Sequence, residues 1–135
     1  MDSRLIELAV YRYRRAKEEL ENAQVALLEG RYNLALNRSY YSIFHGIRSV
    51  NILAGFDSSK HSGVIAYFNR FYVKTEIFPK LASKIIRDAY ALREQADYED
   101  FFFASKKDAE LQVKNAEIFL KMVEEYMKTV NAPNI

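Results

Sequence analysis

Apolar residues recur along this chain at steps of three and four, the interval that places side chains on one face of an α-helix. Ala9, Tyr13, Ala16, Leu20, Ala23 and Leu27 mark a first helix, capped by Asp2 or Ser3, running to Glu29 and stopped by Gly30 in a left-handed conformation. Gly30, Arg31 and Tyr32 make so short a connection that a second helix must fold straight back antiparallel, and it ends around Gly55. After a loop over Phe56 to Lys60, the spacing of Val64, Ile65, Phe68, Phe71 and Tyr72 predicts a third helix from His61 to about Tyr72. Pro79 fits the first turn of a fourth, which reaches about Glu94 with Leu81, Ile85, Ile86, Ala89 and Leu92 inward. The stretch from Gln95 to Ala104 reads as a loop, yet Phe101, Phe102 and Phe103 must pack onto the bundle or be covered by a partner. Ser105 and Asp108 have the spacing of a capping box, and Ala109, Val113, Ala116, Leu120, Val123 and Met127 carry a fifth helix to about Thr129. Asn131 to Ile135 reads as frayed. With no repeat, linker or strand-period segment of any length, the pattern predicts an all-α fold. It is an antiparallel up-and-down helical bundle of about five helices, three long and two short, in a single domain over residues 1–135.

The second helix is patterned differently from the others, in three stripes. Leu36, Tyr40, Ile43, Phe44, Ile47, Val50 and Ala54 form a broad apolar face. Ala35, Ser39, Ser42, Gly46 and Ser49 form a narrow strip with almost no side-chain volume, where another helix, in this chain or a second copy, can approach closely. Leu34, Arg38, Tyr41, His45, Arg48 and Ile52 form the third, with Arg38 and His45 two turns apart and nearly eclipsed. An ordinary surface helix would carry Lys and Glu there.

Composition narrows the chemistry. The chain has no cysteine, which excludes disulfides, thiolate metal sites and cysteine nucleophiles and suits a reducing cytoplasm. Charges break the apolar residues of the first fifteen positions, unlike a signal-peptide core, and no run is long enough for a membrane span. A net charge of +2 is too small to indicate nucleic-acid binding by itself, so any RNA site must be local. The Arg12, Arg14, Arg15 and Lys17 cluster reads as a solvated face. There is no glycine-rich phosphate loop, no HExxH and no pair of Glu-x-x-His motifs, and with two histidines in all, no metal site or cofactor is expected.

What remains is the stripe of Arg38, Tyr41 and His45, joined by Arg48 and by His61 at the start of the third helix. Such a set suits a phosphodiester. Imidazole takes a proton from a ribose 2′-hydroxyl, and guanidinium neutralises the phosphorane formed as that oxygen attacks the neighbouring phosphate. The same residues also admit a structural role, with Arg38 pairing a carboxylate and His45 filling a buried polar gap. Arg93 and Asp97 read as structural; if Asp97 instead reaches Arg38, it positions that guanidinium.

Three blocks carry a family resemblance: Asn37-Arg38-Ser39-Tyr40-Tyr41-Ser42-Ile43-Phe44-His45, Lys60-His61-Ser62-Gly63-Val64-Ile65-Ala66-Tyr67-Phe68, and Ala91-Leu92-Arg93-Glu94-Gln95-Ala96-Asp97-Tyr98. In order and spacing the chain resembles the HEPN domain family over nearly its whole length. The resemblance implies a helical bundle that forms a homodimer. Many members are metal-independent endoribonucleases or toxins encoded beside a minimal nucleotidyltransferase antitoxin; others bind nucleotides or RNA without cutting. Carried over to this chain, Arg38 holds phosphate, His45 is the acid or base and Ser39 is the polar neighbour of the arginine. In some relatives a Tyr two positions after the His is modified by the antitoxin, but here that position is Ile47. Two motifs across a two-fold axis would supply two His and two Arg to one groove. The alternatives are a non-catalytic module that binds a nucleotide or docks to a nucleotidyltransferase, and a purely structural dimer.

Overall fold

The structure, a computed structural model, describes residues 2–130. Five α-helices follow one another as α1 (Ser3–Leu28), α2 (Tyr32–Leu53), α3 (His61–Phe68), α4 (Lys80–Tyr98) and α5 (Lys106–Thr129), with a π-helical turn at Asn69–Val73 extending α3. The expected helical bundle is therefore what the chain forms, and the frayed end expected at Asn131 to Ile135 lies outside the described residues.

Local chemistry sets most of the boundaries. The Asp2 carboxylate accepts from the Arg4 N–H to open α1, and Ser105 Oγ accepts from the Asp108 N–H to open α5. Gly30 and Gly55 take φ of 74° and 80° just beyond α1 and α2, a region that L side chains rarely adopt. Pro79 caps α4 from outside instead of entering its first turn, and its carbonyl accepts from the Ala82 N–H at 3.0 Å. The preceding Phe78 is buried against Phe68 and Phe119, which fixes how the chain enters α4. The inward face is consequently Ala82, Ile85, Ile86, Ala89 and Arg93, and Leu81, expected inside, is 47% exposed. α4 also continues past Glu94 to Tyr98, because Gln95, Ala96 and Asp97 contain no residue that breaks a helix.

α2 is the axis of the bundle and packs against each of the other four α-helices. Its apolar face enters the core as expected, with Tyr40, Ile43, Ile47 and Val50 at most 1% exposed, while Ala54 beyond the helix end is exposed. Its small-residue strip is used up within the chain. Ala35 sits with Ala23 and Ala26 of α1 and Ala109 and Val113 of α5, and Ser42 Oγ donates to the Ala16 carbonyl at 2.8 Å. A Cβ on Gly46 would lie 3.0 Å from Leu120 Cδ2 and 3.2 Å from Phe119 Cε2, so α5 closes down on this position.

The loop between α4 and α5 is pinned at one point. Asn33 donates its amide to the Phe102 carbonyl at 3.0 Å and accepts from the Ala104 N–H at 2.8 Å. Phe102 is half-buried, but Phe101 and Phe103 are 92% and 82% exposed, so the phenylalanine triplet only partly packs down. Phe101 is held at φ 60°, a left-handed conformation costing about 1–3 kcal/mol for a residue other than glycine. Among the described residues no helix is long and apolar enough to cross a membrane.

Candidate functional site

The third stripe of α2 stays at the surface, half-buried, between two ion-paired ends. The Arg38 guanidinium lies 5.6 Å from the centre of the Tyr41 ring, and that ring is 6.5 Å from His45. Arg48 follows one turn on. Leu34 is exposed at the near end of the stripe and Ile52 is buried at the far end, so the polar members alone form its open part.

At the first end Arg38 is held from two sides. Its Nη1 donates to Glu19 Oε2 of α1 at 2.8 Å, and its Nε and Nη2 both donate to Asn37 Oδ1. The Asn37 amide in turn donates to both carboxylate oxygens of Asp97, at 3.1 and 3.3 Å. Asp97 also lies 3.6 Å from Arg93. It therefore pairs an arginine of its own helix and reaches Arg38 only through Asn37. Arg93 is 6% exposed, its guanidinium 4.8 Å from the Tyr40 ring and 5.5 Å from the Tyr41 ring, where the π faces substitute for lost hydration.

The opposite end is built on Asp57. Its carboxylate accepts from Arg12 at 2.8 Å and from Arg48 at 3.4 Å, and Arg12 also reaches the Arg48 carbonyl at 3.5 Å. Burial alone would raise the Asp57 pKa, but the Arg12 hydrogen bond and the two positive charges hold it below the ordinary carboxylate value. Arg12, expected on a solvated face, is 8% exposed. Its neighbours Arg14 and Arg15 do remain exposed.

His45 lies between these ends. Burial foremost, then the charges of Arg15, Arg48 and Arg12, against an opposing contribution from Glu19, lower its pKa to about 4. At neutral pH it is an uncharged imidazole among guanidinium groups. His61 approaches from α3: its Nδ1 shares a 2.8 Å hydrogen bond with the Tyr40 hydroxyl, and its ring stacks on Phe44 at 4.0 Å. Burial and the charges of Arg93 and Arg48 lower its pKa as well. Both imidazoles flank Tyr41, His61 with its ring centre 5.9 Å away.

The structure thus brings together Arg38, Tyr41, His45, Arg48 and His61, and places Asp97 behind them. Ser39 is not in this group. It is fully buried on the small-residue strip, its hydroxyl without a hydrogen-bond partner. Two residues assigned no role from the sequence belong to the arrangement: Glu19, whose register on α1 becomes meaningful only once α1 and α2 pack, and Asn37. The signal for Asn37 was its position directly before Arg38. Among the described residues no three His, Asp or Glu cluster so as to hold a metal ion. A stripe of this kind can bind a phosphate group and accept a proton beside it.

A family model described as HEPN domain matches residues 9–126. The UPF0332 protein of Thermotoga maritima is 33% identical to this chain over 118 residues, covering 87% of it and 89% of the relative. The protein named "Putative toxin MJ0142" from Methanocaldococcus jannaschii is 30% identical over 117 residues, covering 87% of this chain and 80% of its own length. Among solved structures, the crystal structure of ST0689, an archaeal HEPN homologue, superposes with a TM-score of 0.65 at 19% identity, over 88% of this chain and 97% of that one. At that identity the likeness speaks for the fold alone.

Proposed function

Because the chain belongs to the HEPN domain family, with relatives that carry toxin names, we propose that it is a toxin-like, RNA-directed protein that cuts a phosphodiester without a metal ion. The observation that supports this most is the placement of half-buried His45 on one stripe of α2, one turn before Arg48 and two turns after an Arg38 that Glu19 fixes. Burial is the larger cause of the low proton affinity of His45, and the charges of Arg15, Arg48 and Arg12 add to it. A phosphate arriving among them raises that affinity as the substrate binds.

In this reading Arg38 grips a non-bridging phosphate oxygen, and His45 takes the proton from the ribose 2′-hydroxyl. The 2′-oxygen bonds to phosphorus, the bond to the 5′-oxygen breaks, and a 2′,3′-cyclic phosphate and a 5′-hydroxyl result. In a homodimer with both motifs on one groove, a second copy's imidazole returns the proton to the leaving oxygen. Arg48, Tyr41 and His61 contact the flanking nucleotide, and Asp97 orients Arg38 through Asn37. The setting is cytoplasmic, with a nucleotidyltransferase antitoxin as the controlling partner.

One observation favours a second reading. Arg38 already has a carboxylate and an amide as partners, as an arginine in a contact surface would, which supports a non-catalytic module that binds a nucleotide or a nucleotidyltransferase. Incubation with total tRNA in EDTA separates the two. Cleavage to cyclic phosphate ends, lost in Arg38→Ala and in His45→Ala with folding intact by circular dichroism, is the result expected of the ribonuclease. Nucleotide binding that depends on Arg38, without cleavage of any RNA supplied, moves the assignment to the binding module.

A further inference from the structure

A groove runs between α3 and α4 and opens beside His61. Both helices rest on α2, but α4 meets chiefly the π-helical turn after α3, so the two helices themselves stay apart. The space between them is about 480 Å³, within the range of small-molecule sites. Ile65, Ala66 and Ile86 make its lining mostly apolar, with Tyr90 and Asn69 as its polar members. The Tyr90 ring lies 5.9 Å from that of Tyr40, whose hydroxyl bonds His61, so this end of the groove adjoins the stripe described above. Asn69 Oδ1 is closed to water and accepts no hydrogen bond. A buried acceptor left so is costly, and turning the amide to meet a ligand forfeits no bond to that oxygen.

Charge and shape identify the occupant. At its Ser83 and Arg87 edge the groove continues into a second depression, where Lys74, Lys80, Lys84 and Arg87 face one acidic lining residue, Glu76. Asp88 pairs loosely with Lys84 and Arg87, at 3.6 and 3.9 Å, which leaves positive charge in excess. In a chain of net charge +2 this is a concentrated basic region. An apolar slot with an aromatic ring and an unsatisfied amide, continuous with a cluster of cations, matches a flat heterocycle attached to phosphates. A paired base keeps its faces and edges inside the duplex, so only an unpaired one fits.

We propose that the groove between α3 and α4 receives an unpaired nucleobase of RNA, with the neighbouring phosphates on Lys74, Lys80, Lys84 and Arg87. The inference rests on the RNA-directed reading above and names its substrate class, a single-stranded or looped RNA. The Phe44 ring lies 4.0 Å from His61 and 6.4 Å from His45. His61 thus stands between His45 and the groove, and the base bound there belongs to a nucleotide beyond the one that is cut.

Fluorescence anisotropy tests this with a labelled pool of random 2′-O-methyl RNA heptamers, which lack the hydroxyl needed for cleavage. Ala66→Leu with Ser83→Leu fills the groove from both helices. With the helical signal unchanged, it should weaken the intact heptamers about 10-fold and leave an abasic heptamer unaffected. A self-complementary duplex of the same chemistry should bind the wild type only as weakly as the abasic strand does. Asn69→Leu discards an oxygen that the fold leaves unsatisfied, so base-dependent binding should fall while the melting temperature holds or rises. Lys84→Glu with Arg87→Glu should weaken intact and abasic strands alike, with a shallower dependence on salt. Intact strands that bind the filled groove as they bind the wild type, or a loss there that the abasic strand shares, would overturn the proposal. Groove-dependent binding without cleavage of any RNA keeps the groove and removes the ribonuclease. Cleavage by the filled variant with wild-type kcat/KM removes the groove alone.

Discussion

Two neighbouring faces of α2 meet opposite fates. The strip of Ala35, Ser39, Ser42, Gly46 and Ser49 is wholly buried, closed over by α1 and α5. The stripe of Arg38, Tyr41, His45 and Arg48, a fraction of a turn away, stays half open. The first is decided by volume: wherever side chains are absent, a helix can move in. The second is decided by charge. Guanidinium groups enter a core only with partners, and Glu19 and Asp57 hold Arg38 and Arg48 partly exposed. The proposed site lies on the face whose burial the fold leaves incomplete.

Substitutions on the two faces should therefore separate activity from stability. The largest effect is expected from His45→Ala, a loss of about 10³-fold in kcat/KM on a cleaved RNA with unfolding free energy changed by less than about 1 kcal/mol. Gly46→Val should do the reverse. It drives methyl groups into Leu120 and Phe119 and should remove about 2–3 kcal/mol in a denaturant titration, while the remaining folded protein cuts normally. Asp97→Asn leaves the Asn37 contact geometry but weakens the charge behind it; about a tenfold fall in rate with little change in melting temperature is expected. A large loss of stability with normal activity would instead make Asp97 a purely structural partner of Arg93. Stability should also depend on pH. Between the ordinary histidine value of 6.5 and about 4, the unfolded chain binds a proton at this position that folded His45 refuses. Stability should consequently decline as pH falls through that window and level off below it, and His45→Gln should flatten this part of the curve.

The helices were legible in the sequence because each announces its period and most announce their starts. Asp2, Gly30, Gly55 and Ser105 act where their types predict. The register of α4 was not legible, since Leu81 and Ala82 satisfy the period equally well and buried Phe78 decides between them. Arg12 could not be read as buried, because its carboxylate partner lies 45 positions away in the loop after α2. The stripe itself was visible from spacing. What spacing could not reveal were the groups from other helices that fix it, above all Glu19, nor that Ser39 turns into the bundle while Arg38 turns out.

That His45 handles a phosphodiester is the proposal on which the assigned chemistry depends. It is tested most directly by following the His45 imidazole Cε1–H resonance against pH, alone and with an RNA oligonucleotide whose 2′-hydroxyl at the cut is replaced by hydrogen. Free His45 is expected to titrate near 4, and bound oligonucleotide to move it upward by the part of the shift that the arginine charges supply, a movement absent in Arg38→Ala. A saturated complex in which His45 titrates as it does in the free protein would contradict it.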